Sequence, residues 1–334
     1  MVTISVTWIK VPQRYQIKFP RNPGPEFDPQ VRNFYRDRVD TDQPEIVLLG
    51  DSTLQKAVDP DLLSRLTGRR ISKFDVPGSA SAFWYLVIKN DIIHAKHPPG
   101  AVAIIFRDTI LTAPGYRVHG RYFIQLDEFA AKQEPTLLDR SYLNLMNPLE
   151  KWLEQYFPLY GASGQIRQEI DGWIRYSLPR WLNCDRACTD YSIYQALTSG
   201  DLEPGQLQSA VAAAEQYLYT PSQLNFKRQL DRSYLPEIIR LTQEKRIQLI
   251  LVRLKNETAG RGNTETSAVR RYMDDLAAYL RAQDVPLLDY GTDLRLKSEF
   301  FRDTLHLNTE GENVFTQILA EGLNGVLKSV QNTK

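Results

Sequence analysis

The sequence predicts an α/β fold, a three-layer α/β/α sandwich with a mostly parallel sheet and a large helical insertion. Three observations predict it. Short apolar runs alternate with helix-patterned segments near both ends of the 334-residue chain. Those runs are continuously apolar, as strands covered on both faces are. From about Ile110 to about Asp231 the alternation stops, while helical spacing and aromatic residues such as Trp152, Trp173 and Trp181 persist.

The elements follow in order. Val2, Ile4, Val6 and Trp8 alternate with polar residues and read as an edge strand. Pro20 to Pro29 reads as an extended connector. Residues 45–49 form a buried strand ending at Gly50. Asp59 caps a helix whose first position is Pro60. A second strand over 71–76 closes at Pro77-Gly78, and a helix carrying Phe83, Trp84, Val87, Ile88 and Ile92 follows. Residues 101–106 make the third strand. After the insertion come a helix over 235–244, a strand over 247–252, a helix over 268–282 and a strand over 285–289. The closing helix spans 309–327, with Thr309 and Glu312 as a capping box. Its buried face is Val314, Phe315, Ile318, Leu319 and Leu323. The domain reading is therefore 1–44 as strand and connector, 45–109 with 232–334 as the α/β domain, and 110–231 as the insertion.

Composition excludes several classes. A net charge of +1 without a run of one sign argues against a nucleic-acid surface. No stretch reaches the roughly 18 apolar residues that a membrane span needs, and Met1 to Pro20 has no apolar leader core. The localisation stays open: extracytoplasmic or membrane-associated if an N-terminal anchor has been removed, otherwise cytoplasmic. Cys184 and Cys188 read as two thiols or one small loop. No nearby His completes a zinc set, so neither metal nor cofactor is expected.

Two motifs carry chemistry. Ser52 directly follows the first strand, in Gly50-Asp51-Ser52. A serine hydroxyl becomes a good nucleophile only when a base removes its proton. Near the other end, Asp303-Thr304-Leu305-His306 immediately precedes the last helix. Two intervening residues let the carboxylate hold Nδ1–H and turn Nε2 towards a serine. The chain has four His, and among His94, His97, His119 and His306 only His306 combines a close acid with that location.

These pieces resemble the SGNH (GDSL-like) hydrolase superfamily. The likeness rests on Gly50-Asp51-Ser52, Gly78, and Asp303-x-x-His306 extended by Leu307, Asn308 and Gly311; it covers about 45–110 and 235–330. The Gly-x-Ser-x-Gly elbow of ordinary α/β-hydrolases is absent. The resemblance implies a triad of Ser52, Asp303 and His306, with an oxyanion hole formed by the N–H groups of Ser52 and Gly78 and an Asn side chain after the third strand. Here Arg107-Asp108 stands at that third place. Either Arg107 is the donor and Asp108 orients it, or Asp108 is held protonated, or the two form a surface ion pair. Arg253 closes the fourth strand as a weaker substrate contact or a solvated charge.

The resemblance further implies serine-dependent chemistry on an O-acyl group, acetyl in the first instance, of a carbohydrate or cell-envelope glycan. The altered third block and the insertion are similar to divergent members that acylate bacterial envelope polysaccharides beside a membrane acyl-donor protein. Esterase and O-acyltransferase both remain open, and a non-catalytic module binding a glycan or a partner is the alternative.

Overall fold

A computed structural model of the chain describes residues 13–14, 16, 18–29, 33–162, 216–256 and 265–331. The expected strand over Val2–Trp8, and Trp173, Trp181, Cys184 and Cys188, lie outside the described residues. Contacts divide the chain into two compact units, residues 26–141 with 217–334, and residues 1–25 with 142–216.

The first unit holds a five-stranded parallel sheet: β1 (Ile46–Gly50), β2 (Ile71–Asp75), β3 (Ala101–Phe106), β4 (Gln248–Arg253) and β5 (Leu287–Asp289), in the order β2-β1-β3-β4-β5. β1 and β3 are buried along their whole length, as continuous apolar runs in a covered sheet must be. Edge strand β2 alternates buried and half-buried residues.

On one face, Ile46, Leu48, Ala103, Ile105, Ile250 and Val252 meet the helices Ser52–Ala57, Pro60–Thr67 and Thr309–Gln331 through Leu54, Leu63, Phe315, Ile318 and Leu319. Each large side chain buried there contributes about 1.5–3 kcal/mol. The helix Leu235–Glu244 packs on β4 and on the run Ser81–Leu86, which continues through a π turn at Val87–Asp91. The expected three-layer α/β/α sandwich is the observed architecture. Because the chain passes from β1 outward to β2 and then back to β3 on the other side of β1, the loops after β1 and β3 diverge at a topological switch point. Ligand sites of open parallel sheets form there.

By contacts, 26–44, 110–141 and 217–231 group with the sheet. Thr109 Oγ1 donates to the Leu218 carbonyl at 2.6 Å, and Thr112 Oγ1 lies 2.8 Å from Tyr272 Oη, so polar contacts stitch these stretches to the α/β layer. Two expectations of local structure need correction, one at the helix Phe34–Asp42 and one at the cap of the last helix. The helix Phe34–Asp42 escapes the sequence reading because it buries only Tyr35 and Val39. Tyr35 packs on Phe74 with ring centroids 4.5 Å apart. The last helix is capped by Asn308, whose Oδ1 accepts from Gly311 N–H at 2.9 Å, not by Thr309 and Glu312.

In the second unit, the helix Pro148–Tyr156 starts with a capping box between Asn147 and Glu150, and a short helix Pro158–Gly161 follows. Arg21 ties the N-terminal stretch to it, donating to the Gly161 carbonyl at 3.1 Å, while Gly24 N–H donates to Glu154 Oε2 at 2.6 Å. Among the described residues no helix is long and apolar enough to cross a membrane, and no His, Cys, Asp and Glu cluster could hold a metal ion.

Candidate active site

The turn after β1 places Ser52. Gly50 ends the strand where a Cβ would meet Leu54 Cβ at 2.8 Å and the Ile105 carbonyl at 3.1 Å, so no side chain fits. Asp51 then caps the next helix: its Oδ1 accepts from Thr53 N–H at 2.8 Å and from Thr53 Oγ1 at 2.7 Å. Ser52 is the first residue of that helix and is half-buried.

A loop from the other end of the sequence meets it. Phe301 and Leu307 form an antiparallel bridge, and Arg302 N–H donates to the His306 carbonyl at 2.9 Å. Asn308 anchors the loop further, since its N–H donates to the Phe300 carbonyl and its Nδ2 to the Glu299 carbonyl, both at 2.8 Å. Gly311 is required beneath it, because a Cβ would lie 2.4 Å from the Phe300 carbonyl oxygen.

Within this loop Asp303 Oδ1 accepts from the N–H groups of Leu305 and His306, each at 2.8 Å. His306 Nδ1 lies 2.9 Å from Asp303 Oδ2, and His306 Nε2 lies 2.9 Å from Ser52 Oγ. With Nδ1 on the carboxylate, its proton sits there and Nε2 is left to accept from the serine hydroxyl. Burial pushes the Asp303 carboxyl up, but the N–H of Leu305 and the ring and N–H of His306 outweigh it and hold it below the usual range. The His306 and Asp303 side chains are 24% and 39% exposed, so the group opens to solvent.

The loop after β2 joins the same edge. The Gly50 carbonyl accepts from Val76 N–H and from Ser79 Oγ, both at 3.1 Å, and Ser79 Oγ accepts from Trp84 Nε1 at 3.0 Å. Gly78 lies between these anchors with φ 81°, and a Cβ on it would lie 2.6 Å from the Tyr122 ring.

At the end of β3, Arg107 and Asp108 stand 3.7 Å apart with side chains 2% and 1% exposed, which excludes a surface ion pair. Arg107 Nη2 also faces Asp51 Oδ2 at 4.0 Å, so two carboxylates share its charge. Asp108 has two further partners. At φ 46° its Oδ2 accepts from Tyr219 Oη at 2.6 Å and from Asn256 Nδ2 at 2.5 Å. Burial, and then the Asp108 charge, raise the Tyr219 pKa far above the ordinary phenol value, so this phenol stays protonated and donates.

Arg253 is not a solvated charge. It is 3% exposed, paired with Glu265 and Asp289, and its guanidinium leaves no room for a Cβ on Gly291. Its charge holds β4 to β5.

The structure thus brings Ser52, Asp303 and His306 into contact, sets Gly78 on a loop tied to the β1 end, and buries Arg107 and Asp108 beside Asp51. Sequence reasoning misses Asn256, Tyr219, Arg117 and Tyr122. Asn256 has a findable signal, since it lies just past the carboxyl end of β4. Arg117, Tyr122 and Tyr219 stand in segments without strand periodicity.

No protein-family model matches the chain, and no curated protein matches its sequence. Similar solved structures include a proposed acylhydrolase from Bacteroides fragilis, with 12% identity, 84% of this chain and 87% of that one covered, and a TM-score of 0.41. A GDSL-like lipase from Bacteroides thetaiotaomicron has 10% identity, coverage of 84% and 88%, and a TM-score of 0.38. A proposed lipolytic protein of the G-D-S-L family from Desulfitobacterium hafniense has 11% identity, coverage of 83% and 97%, and a TM-score of 0.36. At such identities and TM-scores, nothing about chemistry passes from those proteins to this one.

Proposed function

We propose that this protein is a serine-dependent acyl-ester enzyme of the SGNH type, acting on O-acetyl groups of a carbohydrate. The observation that carries the reading is the continuous contact from Ser52 Oγ through His306 to Asp303. Ser52 Oγ attacks the ester carbonyl while His306 Nε2 takes its proton. The tetrahedral oxyanion collapses, and His306 returns the proton to the departing sugar oxygen. Water, or a second sugar hydroxyl, then resolves the acyl-enzyme by the same proton path in reverse. Asp303 stabilises the imidazolium at each stage.

The oxyanion is assigned to the backbone N–H groups of Ser52 and Gly78, with the Arg107 guanidinium adding positive charge at the β3 end. The open face of His306 and Asp303 supports a bulky alcohol portion such as a glycan. So does the exposed Tyr217 ring, which stacks parallel on Tyr116 at 6.2 Å and offers the kind of face on which sugars lie. For an O-acyltransferase, the ester that acylates Ser52 could equally be presented by a membrane acyl-donor protein.

The test has two parts. A fluorophosphonate should label Ser52 and no other serine; absence of labelling would leave a non-catalytic glycan-binding or partner-binding module. Incubating an acetylated glycan with a second, unacetylated acceptor should then show either free acetate or acetylated acceptor. The first outcome marks an esterase and the second an O-acyltransferase.

A further inference from the structure

Asp51 Oδ1 is fully used in starting the helix that carries Ser52, since it accepts from Thr53 N–H and Thr53 Oγ1. The other oxygen faces two guanidiniums, with Arg117 Nη1 at 3.6 Å and Arg107 Nη2 at 4.0 Å. Asp51 is 2% exposed, and the Arg117 side chain 13%. Capping alone does not account for this arrangement. An Asn or Ser caps a helix as well as Asp does, without a buried charge. Burying a carboxylate beside cations is repaid only where the geometry is excellent, and separations of 3.6 and 4.0 Å are long for ion pairs.

Arg117 is itself fixed in place. Its backbone sits at φ 57°, a region that non-glycine residues seldom occupy. Its guanidinium lies 4.9 Å from the Tyr116 ring centre and 5.6 Å from that of Tyr122. Tyr122 is the ring that fills the space above Gly78. One side chain therefore touches the turn after β1 through Asp51 and the loop after β2 through Tyr122. Those are the two backbones that carry the proposed oxyanion donors.

We infer that Arg117 is a positioning residue for the Ser52 reaction. Acting through Asp51 and Tyr122, it holds the nucleophile turn and the Gly78 loop in register with each other. The inference rests on the reading of Ser52 as nucleophile. It assigns a role to a residue outside every motif of the sequence, on a segment expected to belong to an insertion.

The test is hydrolysis of p-nitrophenyl acetate by the full chain and by Arg117→Gln, Arg117→Lys, Asp51→Asn and the double variant Asp51→Asn/Arg117→Gln. Misplacing a reacting group by about 1 Å can cost about 10²-fold in rate. Arg117→Gln should lower kcat about 10- to 100-fold and leave KM within about threefold, because on this reading the residue acts through the two loops and not on the substrate. Arg117→Lys should restore part of kcat. In the Asp51→Asn background the Arg117→Gln change should cost less than about threefold, because coupled residues are non-additive. Should Arg117→Gln fold poorly, Asp51→Asn against the double variant carries the test, since neither leaves the buried Asp51 carboxylate short of one of its two cations.

Fully additive losses, or a raised KM with unchanged kcat, overturn the inference while leaving a phosphonate-labelled Ser52 intact. If the unmodified chain is not labelled at Ser52, the functional reading falls and takes this inference with it.

Discussion

Ser52 Oγ and His306 Nε2 lie 2.9 Å apart although 254 positions separate the two residues. The contact depends on the β1 turn and the Asp303–Asn308 loop reaching one edge of the sheet, each held by its own backbone hydrogen bonds. Ser52→Ala and His306→Ala should each abolish turnover of an activated acetyl ester, by at least about 10⁴-fold in kcat/KM. The double variant should be little worse than either single one, because the members of such a unit act together. Steady-state kinetics with p-nitrophenyl acetate reads this, and multiplicative losses would show two independent residues.

Asp303→Asn separates orientation from charge. The asparagine Oδ1 can keep both N–H donors of the loop, Leu305 and His306, so the loop stays folded. Its amide would instead present a donor to His306 Nδ1, favouring the tautomer with the proton on Nε2, which cannot accept from Ser52. Turnover should fall about 10³- to 10⁴-fold with little change in melting temperature at low pH. The parent carboxyl titrates below its ordinary range. Its stabilising contribution is therefore present above the unfolded carboxylate value and is lost as pH falls through the folded one. Melting curves of parent and variant should converge in acid. A gap that persists there would mean that the substitution damages packing rather than charge.

Asp91 provides a pH signature away from the site. It is 3% exposed, and its Oδ1 accepts from Arg36 N–H at 3.3 Å. Burial raises its carboxyl from 3.8 to about 6; the N–H and charge of Arg36 offset this in part, and Asp37 adds to it. The folded chain thus holds this proton more tightly than the unfolded chain does. Stability from this group is complete below about 3.8, declines as pH rises, and is lost above about 6. Asp91→Asn keeps the acceptor without the charge. It should be more stable than the parent above pH 6 by up to about 3 kcal/mol, with the gain vanishing in acid. Thermal melts across that range decide it, and a gain independent of pH would refute the assignment.

What is legible in this chain follows from where the stabilising contacts lie in sequence. Ala101–Phe106 is a continuous apolar run, and β3 spans those residues. Ser52, Asp303 and His306 are legible because each sits in a short motif beside a strand end or a helix start. The helix Phe34–Asp42 is not, because two buried residues leave almost no apolar face to read. Arg107 next to Asp108 suggests a pair, but its burial and its second partner Asp51 arise only when β1 and β3 lie side by side. Tyr219 and Arg117 reach the cluster from segments whose place is set by tertiary contacts alone.

Gly78 is the position where backbone geometry and the site meet most directly. Its φ of 81° is costly for any residue with a Cβ, and that Cβ would lie 2.6 Å from Tyr122 Cε1. Gly78→Ala therefore carries two penalties, one of backbone strain and one of overlap, which together should destabilise by more than about 1 kcal/mol. Turnover should fall about 10²-fold as well, because the proposed Gly78 N–H donor moves from its place opposite the developing charge. Tyr122→Ala in the same chain removes the overlap but not the strain. The double variant should accordingly regain stability in part, while turnover stays low. Full recovery of turnover would show that the ring clash alone was at fault and that the N–H of Gly78 does not serve the oxyanion. Measured side by side, melting temperature and kcat distinguish these outcomes.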